Sequence, residues 1–287
     1  MRILLTGATG FVGNNILEEL IKNNYKIKCL VRKNIKLKNC ETIKGDITNY
    51  NSLLKAMKDC DVVINLVGII KESLRKNINF ETIHFLGSKN LIDVAKKFHI
   101  KQFIQTSALG TRKYAKSKYH KTKYQAERYL INSGLNYTIF RPSIMFGEYD
   151  KSINLFAKII KILPIFPIFG SGDYKWQPIY VKDVAKMFVK AINNKKCYNK
   201  IFKVGGIKQY KFKELIKVIA MLLNKKVVII KIPYKLTEFL IKIFNGLFPI
   251  NYDQLVMLNE DNITNRKDFI KIFDIKLNNF EEKFNNY

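Results

Sequence analysis

The sequence predicts an α/β protein, a doubly wound parallel sheet followed by a small C-terminal α/β lobe. Three observations carry that prediction. Short β-branched runs alternate with apolar residues at helical spacing through the first half. A glycine pattern stands between the first of those runs and the first helix. After Pro142 the rhythm gives way to a looser stretch punctuated by Pro164, Pro167, Gly170 and Gly172.

Taken in order, residues 3–6 read as the first strand, 14–24 as the helix after it and 26–31 as the second strand. Further buried strands fall at 62–67 and 102–106, with helical spacing over 80–98 and 117–133. Residues 137–140 form a strand that Arg141-Pro142 ends. A helix over 181–192 and a strand over 201–204 lead into Gly205-Gly206, and 212–223, 227–232 and 236–248 read as helix, strand and amphipathic helix. A chain of 287 residues with 47% hydrophobic composition can bury one large core plus a lobe. The expected division is a core of 1–142 with about 178–205, and a lobe of 143–177 with 206–287.

The formal charge of +28 would ordinarily suggest a polyanionic partner. Only seven of the 51 basic residues are Arg, however, and the Lys excess accompanies Asn and Ile in every segment, as a biased genome produces. With no Arg-rich arm and no aromatic RNA-binding stripe, no nucleic-acid partner is expected. Cys29, Cys40, Cys60 and Cys197 lie far apart, which fits reduced thiols in a cytoplasmic protein and gives no metal site. The apolar N-terminus runs straight into glycines, so it is a strand and not a signal peptide. The apolar stretches at 153–169 and 236–250 are too interrupted by Lys and Pro to span a membrane.

Thr6-Gly7-Ala8-Thr9-Gly10-Phe11-Val12-Gly13 sits between strand and helix. There, glycines make the tight turn, admit a pyrophosphate to the backbone and let strand and helix pack closely. The helix N-terminus adds N–H groups and the positive end of its dipole. This is a Rossmann-type dinucleotide site. A NAD site usually ends its second strand with Asp or Glu against the ribose 2′-hydroxyl. Here the residues are Val31-Arg32-Lys33, and a guanidinium suits a 2′-phosphate, which places NADP(H) ahead of NAD(H). Asp46, followed by Ile47, either accepts from the adenine amino group or caps the next helix.

Hydride transfer needs a proton donor beside the nicotinamide. A Tyr serves if a Lys one helical turn on lowers its pKa and holds the ribose. Tyr119 and Lys123 have that spacing. So do Tyr114 and Lys118, in a chain with 15 Tyr. Context selects the first pair, because Ser107, after Thr106 at the end of a strand, lies twelve residues earlier and could polarise a carbonyl.

These residues, with Arg141-Pro142-Ser143 before Phe146-Gly147, resemble the extended and atypical short-chain dehydrogenases/reductases of the epimerase/dehydratase superfamily. The runs 61–68, 106–110, 137–143, 176–185 and 253–255 with 260–262 are similar, more narrowly, to the branch holding the nucleotide-binding accessory subunit of respiratory complex I and its bacterial relatives. The resemblance implies a bound NADPH, with Tyr119 and Lys123 at the catalytic positions. Leu66, Val67 and Gly68, and Pro142, Ser143 and Ile144, would line the nicotinamide and its ribose. One departure is His84, where the extended sugar-nucleotide enzymes usually have Asn.

Trp176, the only tryptophan, either anchors the lobe or walls a substrate. Leu236, Phe239, Leu240, Ile243, Phe244 and Leu247 make one apolar face beside Lys235 and Lys242. Such faces are mostly buried, but a lysine rim also suits a bilayer or a membrane-bound partner. Three functions follow for a small carbonyl or hydroxyl substrate or a membrane-complex partner: an NADP(H)-dependent oxidoreductase in quinone-linked or respiratory metabolism, a non-catalytic accessory or assembly protein stabilised by NADPH, and a nucleotide-sugar epimerase or dehydratase. No acidic or Arg-rich diphosphate-sugar pocket is evident in 143–177. The expected location is cytoplasmic, peripheral at the inner membrane face.

Overall fold

The computed structural model describes residues 1–73, 78–244, 250–265 and 267–284. Seven strands form one sheet in the order β11-β6-β5-β4-β1-β2-β3: β1 Arg2–Thr6, β2 Lys26–Val31, β3 Glu41–Lys44, β4 Val62–Asn65, β5 Gln102–Thr106, β6 Tyr137–Pro142 and β11 Lys200–Val204. Every pairing in it is parallel. Strands buried on both faces must be apolar on both, which is why 3–5 and 62–64 read as unbroken runs rather than alternations.

Helices cover the two faces. On one side α1 Phe11–Lys22 packs against α6 Val181–Ala191 over Ile16, Leu20, Phe188 and Phe140. On the other, α2 Tyr50–Met57, α3 Gly87–Lys97 and α4 Lys118–Ile131 close over Leu53, Leu91, Phe103 and Leu130. The helical run expected over 80–98 is two elements. Its first turns, Glu81–Leu86, are a π-helix that continues into α3.

A third cluster, including Phe146, Phe166, Trp176, Phe212 and Phe280, lies off the sheet. It draws on α5 Ile153–Ile162, the ribbon β8 Ile165–Phe169 with β13 Val228–Ile232, and α7 Phe212–Leu222. Trp176 is an anchor here, 4.8 Å from the Phe212 ring. By contrast α10 Lys267–Phe273, which sequence reading gave to the lobe, sends Phe269 and Phe273 into the sheet core beside α6.

The helix expected over 236–248 is α8 Tyr234–Ile243; Leu247 and Phe248 fall outside the described residues. It buries Thr237 and Ile241, while Leu236, Phe239, Ile243 and Phe244 are exposed. The apolar face is thus turned outward, not into the protein as most such faces are. Among the described residues no helix is long and apolar enough to cross a membrane.

Candidate functional site

β4 and β2 flank β1, and the chain leaves their carboxyl ends in opposite directions, which opens a crevice there. The glycine loop forms its floor. Gly7 has φ +76°, a left-handed conformation that glycine adopts without strain, and a Cβ on it would sit 3.1–3.2 Å from the Leu66 and Val67 backbone. At Gly13 a Cβ would lie 2.0 Å from the Gly7 carbonyl oxygen, so only glycine fits. Gly10 caps α1 without any side-chain hydrogen bond, which leaves the first-turn N–H groups for an anion. Thr9 and Gly10 are exposed at the tip, with Phe11 and Val12 half-buried behind them.

Asn65, at the end of β4, was not read from the sequence as a site residue. Its Oδ1 accepts from Thr6 Oγ1 at 2.9 Å and from the Val67 N–H at 3.3 Å, and its Nδ2 donates to Ser88 Oγ at 3.1 Å. One buried amide thus ties the glycine strand, the 66–68 loop and α3 together. An Asn within a β-branched run was the only available signal.

At the opposite end, Arg32 and Lys33 are exposed just past β2. Asp46 does not cap α2, because Asn49 does. Asp46 Oδ1 accepts from the Thr48 N–H and hydroxyl at 2.9 and 2.8 Å. Ile47 is buried beneath Gly87.

The catalytic candidates come from α4 and the end of β5. Lys123, 5% exposed, sets its Nζ 3.4 Å from the Thr106 carbonyl. Thr106 Oγ1 is buried with no partner, an orphan hydroxyl at the crevice. Ser107 Oγ lies 3.2 Å from Thr111 Oγ1. Burial pushes the Lys123 ammonium down to about 8, partly countered by Glu127, and pushes the Tyr119 phenol up to about 12. The lowering of Tyr119 by Lys123 expected from spacing is not seen: burial is the cause acting on the phenol, and it disfavours the charged form of both groups. At neutral pH Tyr119 is protonated and Lys123 charged.

Glu127, one turn after Lys123 and 1% exposed, takes a two-pronged pair from Arg141, Nε donating to Oε1 at 2.8 Å and Nη2 to Oε2. Pro142 is buried at the end of β6. Ser143 is less free than expected: its N–H donates to Val204 O and its hydroxyl contacts Asn262, whose Oδ1 also accepts from the Ile144 N–H at 2.9 Å.

The segment 251–262, which ends in Asn262, was not legible as part of the site. From α9 Tyr252–Leu258, Asp253 accepts from the Lys118 and Tyr119 N–H groups at 3.1 and 2.9 Å, joining Ser117, which accepts from His120 N–H, at the start of α4. A carboxylate at this helix N-terminus satisfies orphan donors and meets the positive end of the dipole. Nearby Glu260 takes both Nη atoms of Arg112 at 2.9 and 2.7 Å and lies 4.0 Å from His120.

The close Gly13 approach, the α1 N-terminus with no side-chain cap and the orphan Thr106 hydroxyl fit a dinucleotide. Comparison with solved structures gives the same architecture. A nucleoside-diphosphate-sugar epimerase of Staphylococcus aureus matches with TM-score 0.78 and 20% identity over 100% of both chains. A UDP-glucose 4-epimerase of Thermotoga maritima matches with TM-score 0.77 and 20% identity over 99% of this chain and 96% of that one. Among curated sequences, the mitochondrial NADH dehydrogenase (ubiquinone) 1 alpha subcomplex subunit 9 of Arabidopsis thaliana is 28% identical over 81% of this chain. The match spans 60% of that subunit's length. The photosystem II assembly factor Ycf39 of Cyanophora paradoxa is 26% identical over 83% of this chain and 74% of the factor. With its glycine loop, parallel sheet and α4 residues all inside the stretch 3–205 that matches the family model, this chain belongs to the NAD dependent epimerase/dehydratase family.

Proposed function

We propose that the chain is an NADP(H)-dependent oxidoreductase that interconverts a carbonyl and a hydroxyl on a small molecule, within quinone-linked or respiratory metabolism. The observation that carries this is a buried Lys123 one turn after Tyr119 on α4, its Nζ set against the Thr106 carbonyl at the carboxyl end of β5. The Tyr119 O–H donates its proton to the carbonyl oxygen in reduction and recovers one in oxidation. Lys123, held against the Thr106 carbonyl, offers positive charge to the phenolate that forms and a donor to the nicotinamide ribose. Ser107 Oγ orients the carbonyl. When bound, the dinucleotide supplies or accepts the hydride. Arg32, exposed where the family's NAD-selective carboxylate would stand, supports a 2′-phosphate and so NADP(H).

Tyr119→Phe, assayed by NADPH oxidation against a panel of quinones and carbonyls, should lower turnover roughly 10²- to 10⁴-fold. An unchanged rate with an identified substrate would remove the assignment.

The outward apolar face of α8 favours a second reading. In it, bound NADPH stabilises an accessory or assembly protein that docks on a membrane complex at the inner face, in line with what the relatives are named for. Co-purification with membrane proteins, with no turnover of any carbonyl, would select it.

A further inference from the structure

His84 lies in the π-helical turn Glu81–Leu86, a local widening of the helix often found at functional sites. Its ring is 1% exposed, stacked on Phe80 at 5.3 Å and edge-on to Tyr119 at 5.0 Å. Both ring nitrogens have partners on different walls of the crevice. Nδ1 is 3.1 Å from Thr122 Oγ1 on α4, and Nε2 is 3.0 Å from the Ile69 nitrogen and 3.1 Å from its carbonyl oxygen.

In either neutral tautomer both sides stay partnered: Nδ1–H donates to Thr122 Oγ1 while Nε2 accepts the Ile69 N–H, or Nε2–H donates to the Ile69 carbonyl while Nδ1 accepts the Thr122 hydroxyl. Burial, helped by the Lys123 charge, holds the imidazole neutral, with its pKa down to about 2. Between the two walls stands Gly68, where a Cβ would lie 3.1 Å from Lys123 Nζ and 3.7 Å from His84 Nε2.

We propose that His84 is a positioning residue, pinning the 66–69 loop to the helix that carries Tyr119 and Lys123 and thereby setting the nicotinamide end of the cofactor seat. The proposal rests on the dinucleotide reading above. A histidine that only filled space would need the Phe80 and Tyr119 contacts, which phenylalanine supplies. The two hydrogen bonds are what phenylalanine cannot supply.

Calorimetric titration of wild type, His84→Phe and Thr122→Val tests this with two probes, NADPH and adenosine 2′,5′-bisphosphate, which lacks the nicotinamide half. NADH and ADP run in parallel. Both variants should bind the adenosine probe as wild type does and the whole dinucleotide about tenfold more weakly, the scale of one buried hydrogen bond to backbone. Equal weakening of both probes, or no weakening of either, would overturn the positioning role. If His84→Phe loses its thermal unfolding transition, the near-isosteric Thr122→Val decides alone by the same criterion. Wild type that binds neither probe would sink the cofactor reading, and this proposal with it; wild type that binds both, with unselective variants, sinks only this proposal.

Discussion

Replacing Lys123 by Met should stabilise the ligand-free protein. Lys123 is 5% exposed, and its ammonium is held down to about 8 from an ordinary 10.5. A lysine whose folded pKa is depressed opposes folding wherever the unfolded chain keeps its proton. The opposition is complete below the folded pKa and fades as pH rises from about 8 to about 10.5. Converted by linkage, the cost is about 3 kcal/mol at pH 7, about 2 at pH 9 and under about 1 at pH 10. Met keeps the length and apolar volume of the stem, so little packing is lost, and the nearby Glu127 remains neutralised by Arg141. Urea unfolding of wild type and Lys123→Met at those three pH values, without dinucleotide, measures the gap directly. A variant less stable than wild type at pH 7, or a gap that stays constant to pH 10, would refute the electrostatic account. Under the proposed oxidoreductase function the same substitution should also abolish turnover.

Arg32→Ser should weaken NADPH roughly 10- to 100-fold and leave NADH unchanged, the loss of one charge-assisted contact to a 2′-phosphate; equal affinities for both cofactors in wild type would contradict the assignment. Glu127→Ala should cost about 3–5 kcal/mol in urea unfolding, because it strands the Arg141 guanidinium in a site that is 14% exposed. A loss under about 1 kcal/mol would show that the pair is effectively solvated. Leu236→Ser with Phe239→Ser should change stability by no more than about 0.5 kcal/mol per site. If the face is an attachment surface, the double variant should also reduce co-sedimentation with membranes. Calorimetry with UDP-glucose should register no binding, and heat of binding there would restore the nucleotide-sugar reading.

The parts of the site legible in the sequence are those whose geometry is local. Gly7, Gly10 and Gly13 share one turn, and Tyr119 and Lys123 share one face of one helix, where spacing together with Ser107 at the end of the preceding strand picks them out over Tyr114 and Lys118. His84 was visible as a departure, but its role depends on a π-turn, which an ideal 3.6-residue period does not anticipate. Asp253 and Glu260 act 134 and 148 residues from their partners, and nothing in an isolated acidic residue reports which helix end it will meet. The direction of the α8 face was likewise hidden. Amphipathic spacing shows that a face exists, whereas Thr237 and Ile241, two positions in ten, decide which side is buried.

The carboxylate that Asp253 lends to α4 also bears on how the protein is made. The glycine loop and its first strands can pair as soon as the N-terminal half has left the ribosome, since their partners are close in sequence. The helix bearing Tyr119 has Ser117 at its cap from the start but receives its second cap only when residue 253 has been synthesised, and contacts that distant form slowly. The two ends of the crevice therefore mature at different times, and a chain stopped short of α9 would carry the glycine turn without the finished start of α4.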